Sequence, residues 1–213
     1  MDTTATRIGG LFGFAAALII IPAYVVGTPD APNSANQAER YYEANSTFVT
    51  ANGVLPLFHV LFFIVFLGAL IVLLRRAENG RSGFAITALA GGIAFVTLEA
   101  AGFAAEVAYP AALVRYEELP LGGAMAPLLL TLSTWLYHYA QVGATALIIA
   151  TSAVIWRTEL LPKWVAVGGV IGVVTLLHTW MPLTAAICGL VWIGAMGLVL
   201  LLVPPKLADP AGA

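Results

Sequence analysis

Charge is what this sequence has least of. Only 9% of its 213 residues are Asp, Glu, Lys or Arg, against roughly 25% in an ordinary soluble domain. So few charges cannot cover a water-facing surface, which excludes a soluble globular fold. Disorder is excluded as well, because a chain that stays unfolded in water combines low hydrophobicity with high net charge. There is no basic excess. The net charge is -2, so no positive field exists for nucleic acid. Cys188 is the only cysteine, which rules out an internal disulfide and a cysteine-based metal site. No Gly-x-Ser-x-Gly elbow, Walker loop, Rossmann fingerprint or His-Glu-x-x-His pair is present, so the reading leans away from an enzyme.

What the sequence has in abundance is apolar length. Hydrophobic residues make up 61% of the chain and the mean hydropathy is +0.94. A membrane-spanning helix needs about 20 mostly apolar residues. The uncharged runs predict spans at 8–27, 54–74, 83–109, 126–156, 164–180 and 183–203. The last two come from one uncharged run of 42 residues, Trp164 to Pro205. As a single helix that run would be about 63 Å long, twice the hydrocarbon core. Thr179-Trp180-Met181-Pro182 is the natural reversal, because proline opposes helix continuation and favours helix starts. The expected fold is all-α, a single six-transmembrane-helix bundle over residues 1–213. The start reads as a retained first span rather than a signal peptide, since no small-x-small cleavage pattern follows Ile21.

Orientation follows from the basic residues. With the N-terminus inside, the inner segments hold Arg7, Arg75, Arg76, Arg81, Arg157, Lys163 and Lys206, and the outer ones only Arg40 and Arg115. This positive-inside bias predicts N-in/C-in topology with both termini cytoplasmic. Trp156, Trp164 and Trp180 fall where aromatic belts are expected. The long polar stretch 28–53 is expected to carry a short interfacial helix between spans 1 and 2, over 35–47, with Tyr41 and Tyr42 as interfacial anchors. Paired glycines recur at Gly9-Gly10, Gly91-Gly92 and Gly168-Gly169, a faint sign of three helical hairpins in series. Gly9 with Gly13 and Gly168 with Gly172 are GxxxG pairs that admit close helix approach. They predict packing within the chain first, and a homo-oligomer or a protein partner second.

The order of features resembles a known group. A basic residue before Ile-Gly-Gly is followed by an outer Ala-Glu-Arg-Tyr-Tyr-Glu-Ala-Asn, an inner Arg-Arg and a Leu-Leu-Pro-Lys-Trp-Val-Ala elbow. This is similar to six-span integral membrane proteins of actinobacteria grouped as a domain-of-unknown-function family, over about residues 7–203. The resemblance implies a multi-pass protein of a bacterial plasma membrane, with the lipid bilayer as its first partner. It implies no activity.

Ionisable groups within spans are costly and stand as functional candidates. Span 3 holds Glu99 and Glu106, and the only histidines are His59, His138 and His178. Counting at 1.5 Å per residue puts Glu99 about 24 Å, His138 about 27 Å and His178 about 22 Å above the inner side, with His59 about 8 Å below the outer side. All fall in the outer third of the membrane. They predict a polar pocket lined by Glu99, His138, His178, His59, Gln141, Glu106 and Tyr139. Glu99 is expected to face the bundle interior and meet a histidine, His138 before the others. A metal, if one binds, would be held by His59, Glu99, His138 and His178, since imidazole suits transition metals, and two histidines could also ligate haem. Three readings follow: an accessory, structural or small-ligand-binding membrane protein; a metal- or haem-binding redox protein or enzyme; a small oligomeric transporter or channel. Nearly pure apolar midplanes in spans 1, 2 and 6 weigh against the last.

Overall fold

The computed structural model describes residues 3–26, 42, 48–79, 83–116 and 124–205. Among these the chain is helical and contains no strand. Helix α1 covers Thr3–Ile19 and α2 Ile21–Val26. They are followed by α3, Phe48–Ala77, α4, Gly83–Arg115, and α5, Met125–Thr158. Two short helices, α6 Lys163–Val167 and α7 Ile171–Thr175, precede the last helix, α8 Pro182–Leu202. Among the described residues, five stretches are long and apolar enough to cross a membrane: Thr4–Ala23, Ala51–Ala77, Gly83–Leu113, Met125–Thr158 and Pro182–Leu202.

The expected boundaries differ from the helices in a consistent way. Spans expected at 54–74 and 83–109 belong to helices that run to Phe48–Ala77 and Gly83–Arg115. Hydropathy marks where a helix is apolar, whereas the backbone hydrogen bonds continue until a cap or breaker stops them. Pro182 does open α8, at its first turn, where a missing N–H costs nothing. Glu159 ends α5 in the left-handed region, with φ 52° and its N–H bonded to Ile155 O. The stretch expected as span 164–180 is a broken helix. Between α6, α7 and the Trp180 turn lie the 3-10 turns Gly168–Val170 and Leu176–Thr179. The glycine pair at 168–169 opens the first of these turns. The expected interfacial helix at 35–47, Tyr41 included, lies outside the described residues apart from Tyr42.

The helices close into a ring. Helix α1 packs on α3 and on α8, α3 on α4, α4 on α5, α5 on the Lys163–Thr179 segment, and that segment on α8. Glycines set the tightest approaches. A Cβ on Gly91 would lie 2.6 Å from Leu147 N and 2.7 Å from Gly143 O, and one on Gly143 would reach Gly91 O at 2.6 Å. A second reciprocal contact joins α1 to α8: a Cβ on Gly10 would stand 2.6 Å from Gly197 O, and one on Gly197 2.7 Å from Gly10 O. Only a hydrogen fits between these backbones, as small-residue packing in lipid requires. Gly9 meets Ala69 and Gly13 meets Phe66, so this GxxxG face is used within the chain and is not open to another copy. Gly172 packs on Ile148, while Gly168 faces open space.

The interior has two ends of opposite character. Toward the end carrying Ala77, Gly83 and Thr158, the core is mainly apolar: Phe63, Phe66, Leu70, Leu73, Leu74, Leu147, Ile148 and Ile155 are fully buried, with the hydroxyls of Thr6, Thr151 and Ser152 as the polar exceptions. Toward the end carrying Asn52, Glu106 and Pro182, the buried side chains include Asn52, His59, Glu99, Glu106, Gln141 and His178.

Candidate polar site at one end of the bundle

The site is built by a register between two helices. On α3, Asn52 and His59 lie seven residues apart; on α4, Glu99 and Glu106 do the same. Seven residues are close to two turns, so each pair shares a face. The two helices are antiparallel neighbours, and the pairs meet rung for rung. Asn52 Nδ2 donates to Glu106 Oε1 at 3.0 Å, and His59 Nε2 stands 3.1 Å from Glu99 Oε2. One turn further in, the same register brings Phe63 edge-on to Phe95, with ring centroids 5.2 Å apart. There the polar ladder gives way to the apolar core.

His59 is completely buried, and both of its ring nitrogens face acceptors. Nδ1 is 2.9 Å from Ala16 O on α1, and Nε2 faces the Glu99 carboxylate. A carbonyl can only accept, so Nδ1 carries a hydrogen. Nε2 and Glu99 then have one proton between them. Whether it sits on nitrogen or on oxygen, the pair has no net charge, which is how lipid-level burial of two ionisable groups is tolerated.

Glu106 is held by neutral donors. Tyr137 of α5 donates to Oε2 at 2.5 Å, Asn52 donates to Oε1, and the hydroxyl of Tyr42 donates to the Glu106 backbone carbonyl at 3.0 Å. Tyr42 is stacked on Tyr109, centroids 5.0 Å apart. Tyr42 is therefore buried in protein, a correction to its expected place as an interfacial anchor. The Tyr109 ring and a carbonyl on α4 give it a better partner than headgroups do. Burial, with the Glu106 carboxylate and Tyr109 adding to it, pushes the Tyr42 hydroxyl well above the usual phenol range.

The expected partner of Glu99, His138, is elsewhere. It pairs with His178, Nδ1 to Nδ1 at 2.9 Å, and its Nδ1 also lies 2.8 Å from Thr134 O. The likeness of depth was read correctly, but depth gives no azimuth. His138 follows Tyr137 by one residue, about 100° around α5, so the helix side that sends Tyr137 to Glu106 turns His138 toward the Lys163–Thr179 segment. Tyr139, expected in the pocket, is 61% exposed. It is about 200° from Tyr137 and so points away from the bundle. The proposed ligand set of His59, Glu99, His138 and His178 is thus split into two pairs. Among the described residues no group of three His, Cys, Asp or Glu side chains could hold a metal ion. The His138–His178 pair does not fit haem either. Two nitrogens on opposite sides of a metal, each at about 2 Å, stand about 4 Å apart.

Between the two rungs lies a small cavity of about 20 Å³, room for about one water molecule. It is lined by Ala23 from α2, Asn52 from α3, Glu99, Phe103 and Glu106 from α4, Tyr137 and Gln141 from α5, His178, and Pro182 and Ala186 from α8. Every span-like segment of the ring contributes to it. Of the seven expected pocket residues, Glu99, Glu106, Gln141 and His178 line this cavity, and His59 supports it through Glu99. Asn52, Tyr42 and Tyr137 were not among the expected pocket residues. The signal for Asn52 was present: an Asn-x6-His spacing on one span mirrors the Glu-x6-Glu spacing on the next.

No protein-family model, curated protein or solved structure matches the chain.

Proposed function

We propose that this chain is a six-span, multi-pass protein of a bacterial plasma membrane, with both termini cytoplasmic, whose polar cavity binds a small polar ligand from the outer side. The observation that carries this reading is the cavity itself: residues from every segment of the ring converge on one polar space at one end. The other end is filled by close-packed Phe, Leu and Ile side chains. A continuous polar path, as a channel or transporter uses, has no counterpart in that packing, so the reading is of a binding or accessory protein. The Lys163–Thr179 segment supports a sixth crossing despite its length of only 17 residues. Its 3-10 turns rise faster than α-helix, about 2.0 Å against 1.5 Å per residue, which stretches it to about 29 Å, close to the hydrocarbon thickness. The seven-to-two distribution of Lys and Arg supports the orientation, and the resemblance to the actinobacterial six-span family supports the host and membrane.

The test uses silver ion, small enough for so narrow a site and reactive toward thiolates. In a Cys188→Ala background, Ala186→Cys places a thiol at the cavity and Ile193→Cys places one in the apolar core. Silver added from outside should protect the first from later maleimide labelling of the denatured protein, and leave the second unprotected. Equal behaviour of the two thiols, or protection of Cys at 186 only from the inside, would contradict the reading. A reporter fused after Ala213 should behave as cytoplasmic.

A further inference from the structure

Two buried side chains that line the cavity carry acceptor oxygens without a partner among the described residues. Asn52 and Gln141 are 4% and 5% exposed, and both line the cavity. The Asn52 amide nitrogen is committed to Glu106, which fixes the amide orientation and leaves Asn52 Oδ1 without a hydrogen-bond partner among the described residues. Gln141 Oε1 is likewise buried without a partner. The Glu99 carboxylate uses Oε2 for His59, leaving Oε1 on the cavity-lining side chain for another donor. Three side chains that line one small space, from three helices, therefore each carry an acceptor oxygen open to a further donor. A buried acceptor left unpaired is destabilising, and native interiors rarely leave one so.

The charge count points the same way. Glu99 and Glu106 contribute two carboxylates, while His59 can offset only one. No Lys or Arg lines the cavity among the described residues. Tyr137 and Asn52 orient Glu106 by hydrogen bonds but carry no charge to cancel it. One carboxylate at membrane depth is left to be balanced, by a proton or by a bound cation. Carboxylate and amide oxygens are the ligands of hard cations, not of transition metals.

We infer that the cavity is a site for one small monovalent cation, an alkali ion or ammonium, held by Glu99 Oε1, Asn52 Oδ1 and Gln141 Oε1 and balanced in charge by Glu106. The inference rests on the outward-facing cavity proposed above and names its ligand class. A volume near that of one water admits sodium, potassium or ammonium and rejects choline.

The experiment uses the full chain in lipid nanodiscs. Its thermal midpoint is measured in choline chloride while sodium, potassium or ammonium chloride replaces choline at constant ionic strength and pH. A ligand that binds only the folded state raises the midpoint in a saturable way. At least one of the three cations should do so, and which one does so identifies the natural class. Glu106→Gln, which keeps the shape and removes the charge, should weaken the response at least tenfold while the protein remains folded in choline. Gln141→Leu, which removes one oxygen and no charge, should weaken it as well and serves if the first variant does not fold. Identical midpoints in all four salts, or a response unchanged in both variants, overturns the inference. A midpoint that follows pH but no cation also overturns it, because a proton alone then balances the site. If silver reaches Cys at 186 and no cation responds, the cation inference fails while the outward cavity stands. If silver does not reach it, the cavity reading fails first.

Discussion

The two ends of the bundle solve the same problem with different chemistry. Both must hold helices together in a solvent as apolar as their own side chains, so burial of apolar surface brings little gain. At the apolar end, Gly91 with Gly143 and Gly10 with Gly197 let backbones touch, and Phe66, Leu70, Leu74 and Leu147 fill what remains. At the polar end, specific pairs do the work: His59 with Glu99, Asn52 and Tyr137 with Glu106, His138 with His178. The first arrangement packs the interior closely beneath a surface recess of about 730 Å³ lined by Ala77, Gly83, Arg157 and Thr158. The second leaves a cavity of about 20 Å³ with unpaired oxygens around it. Shape complementarity alone suffices for a seal, while polar pairing both ties helices together and prepares a place for a ligand.

Substitutions at each end should break this contrast in different ways. The largest effect is expected from Gly143→Leu. Its side chain would occupy the space of the α4 backbone at Phe95 and Gly91, and neither backbone can yield without parting the helices. No folded protein should be recovered in detergent extracts, as read by size-exclusion profile and helical content.

Next in size is the buried pair. His59→Leu or Glu99→Leu alone leaves the other group buried without its partner, at a cost of about 3 kcal/mol. The double substitution to Leu should lose much less than the two single losses added together, because an apolar pair of similar volume suits the site. A denaturation cycle over the four proteins measures the coupling. Additive losses would show that the pair is not a unit, and would make the two ends more alike than described.

Leu70→Ala should cost about 1–3 kcal/mol. That is below the range usual in water, since lipid replaces the lost transfer energy and only the cavity remains. It should leave any ligand response at the polar end unchanged.

The smallest effect is at Tyr42. Tyr42→Phe removes the bond to Glu106 O, worth about 1 kcal/mol. Burial raises the Tyr42 hydroxyl, so the unfolded chain ionises first, near pH 10. The tyrosine's contribution is complete below that pH and falls as pH rises through it. The stability gap between wild type and Tyr42→Phe should therefore narrow above about pH 10, as measured by chemical denaturation at a series of pH values.

Much of the helical plan was legible in the sequence, and the reasons differ by element. The helices Phe48–Ala77, Gly83–Arg115, Met125–Thr158 and Pro182–Leu202 follow from uncharged runs bounded by charges such as Arg75, Arg81, Arg157 and Lys163. The Met181-Pro182 reversal follows from proline's missing N–H. The broken course of Lys163–Thr179 was not legible, because 3-10 turns at Gly168 and Leu176 keep the same apolar composition as an α-helix. For the site, depth was legible from residue counts and placed Glu99, His59, His138 and His178 near one end. Azimuth was not. It is set by which face of α4 packs on α3 and which on α5, and that choice is made by glycines at 91, 92 and 102 meeting Gly143, Leu67 and Tyr137. Hence Glu99 found His59 rather than His138, and Tyr139 turned outward.

The contrast between a wet polar end and a dry apolar end is tested most directly by water-edited solid-state NMR on the full chain in lipid bilayers. Magnetisation that starts on water should reach the side-chain carbons of Glu99, Glu106, Gln141 and His178 early. It should reach those of Phe66, Leu70, Leu147 and Ile193 only late, through spin diffusion from lipid-distal protein. Early build-up at the apolar set would show water running through the bundle, and equally late build-up at Glu106 and Gln141 would show the polar end to be dry; either result contradicts an open site closed on one side by a packed core.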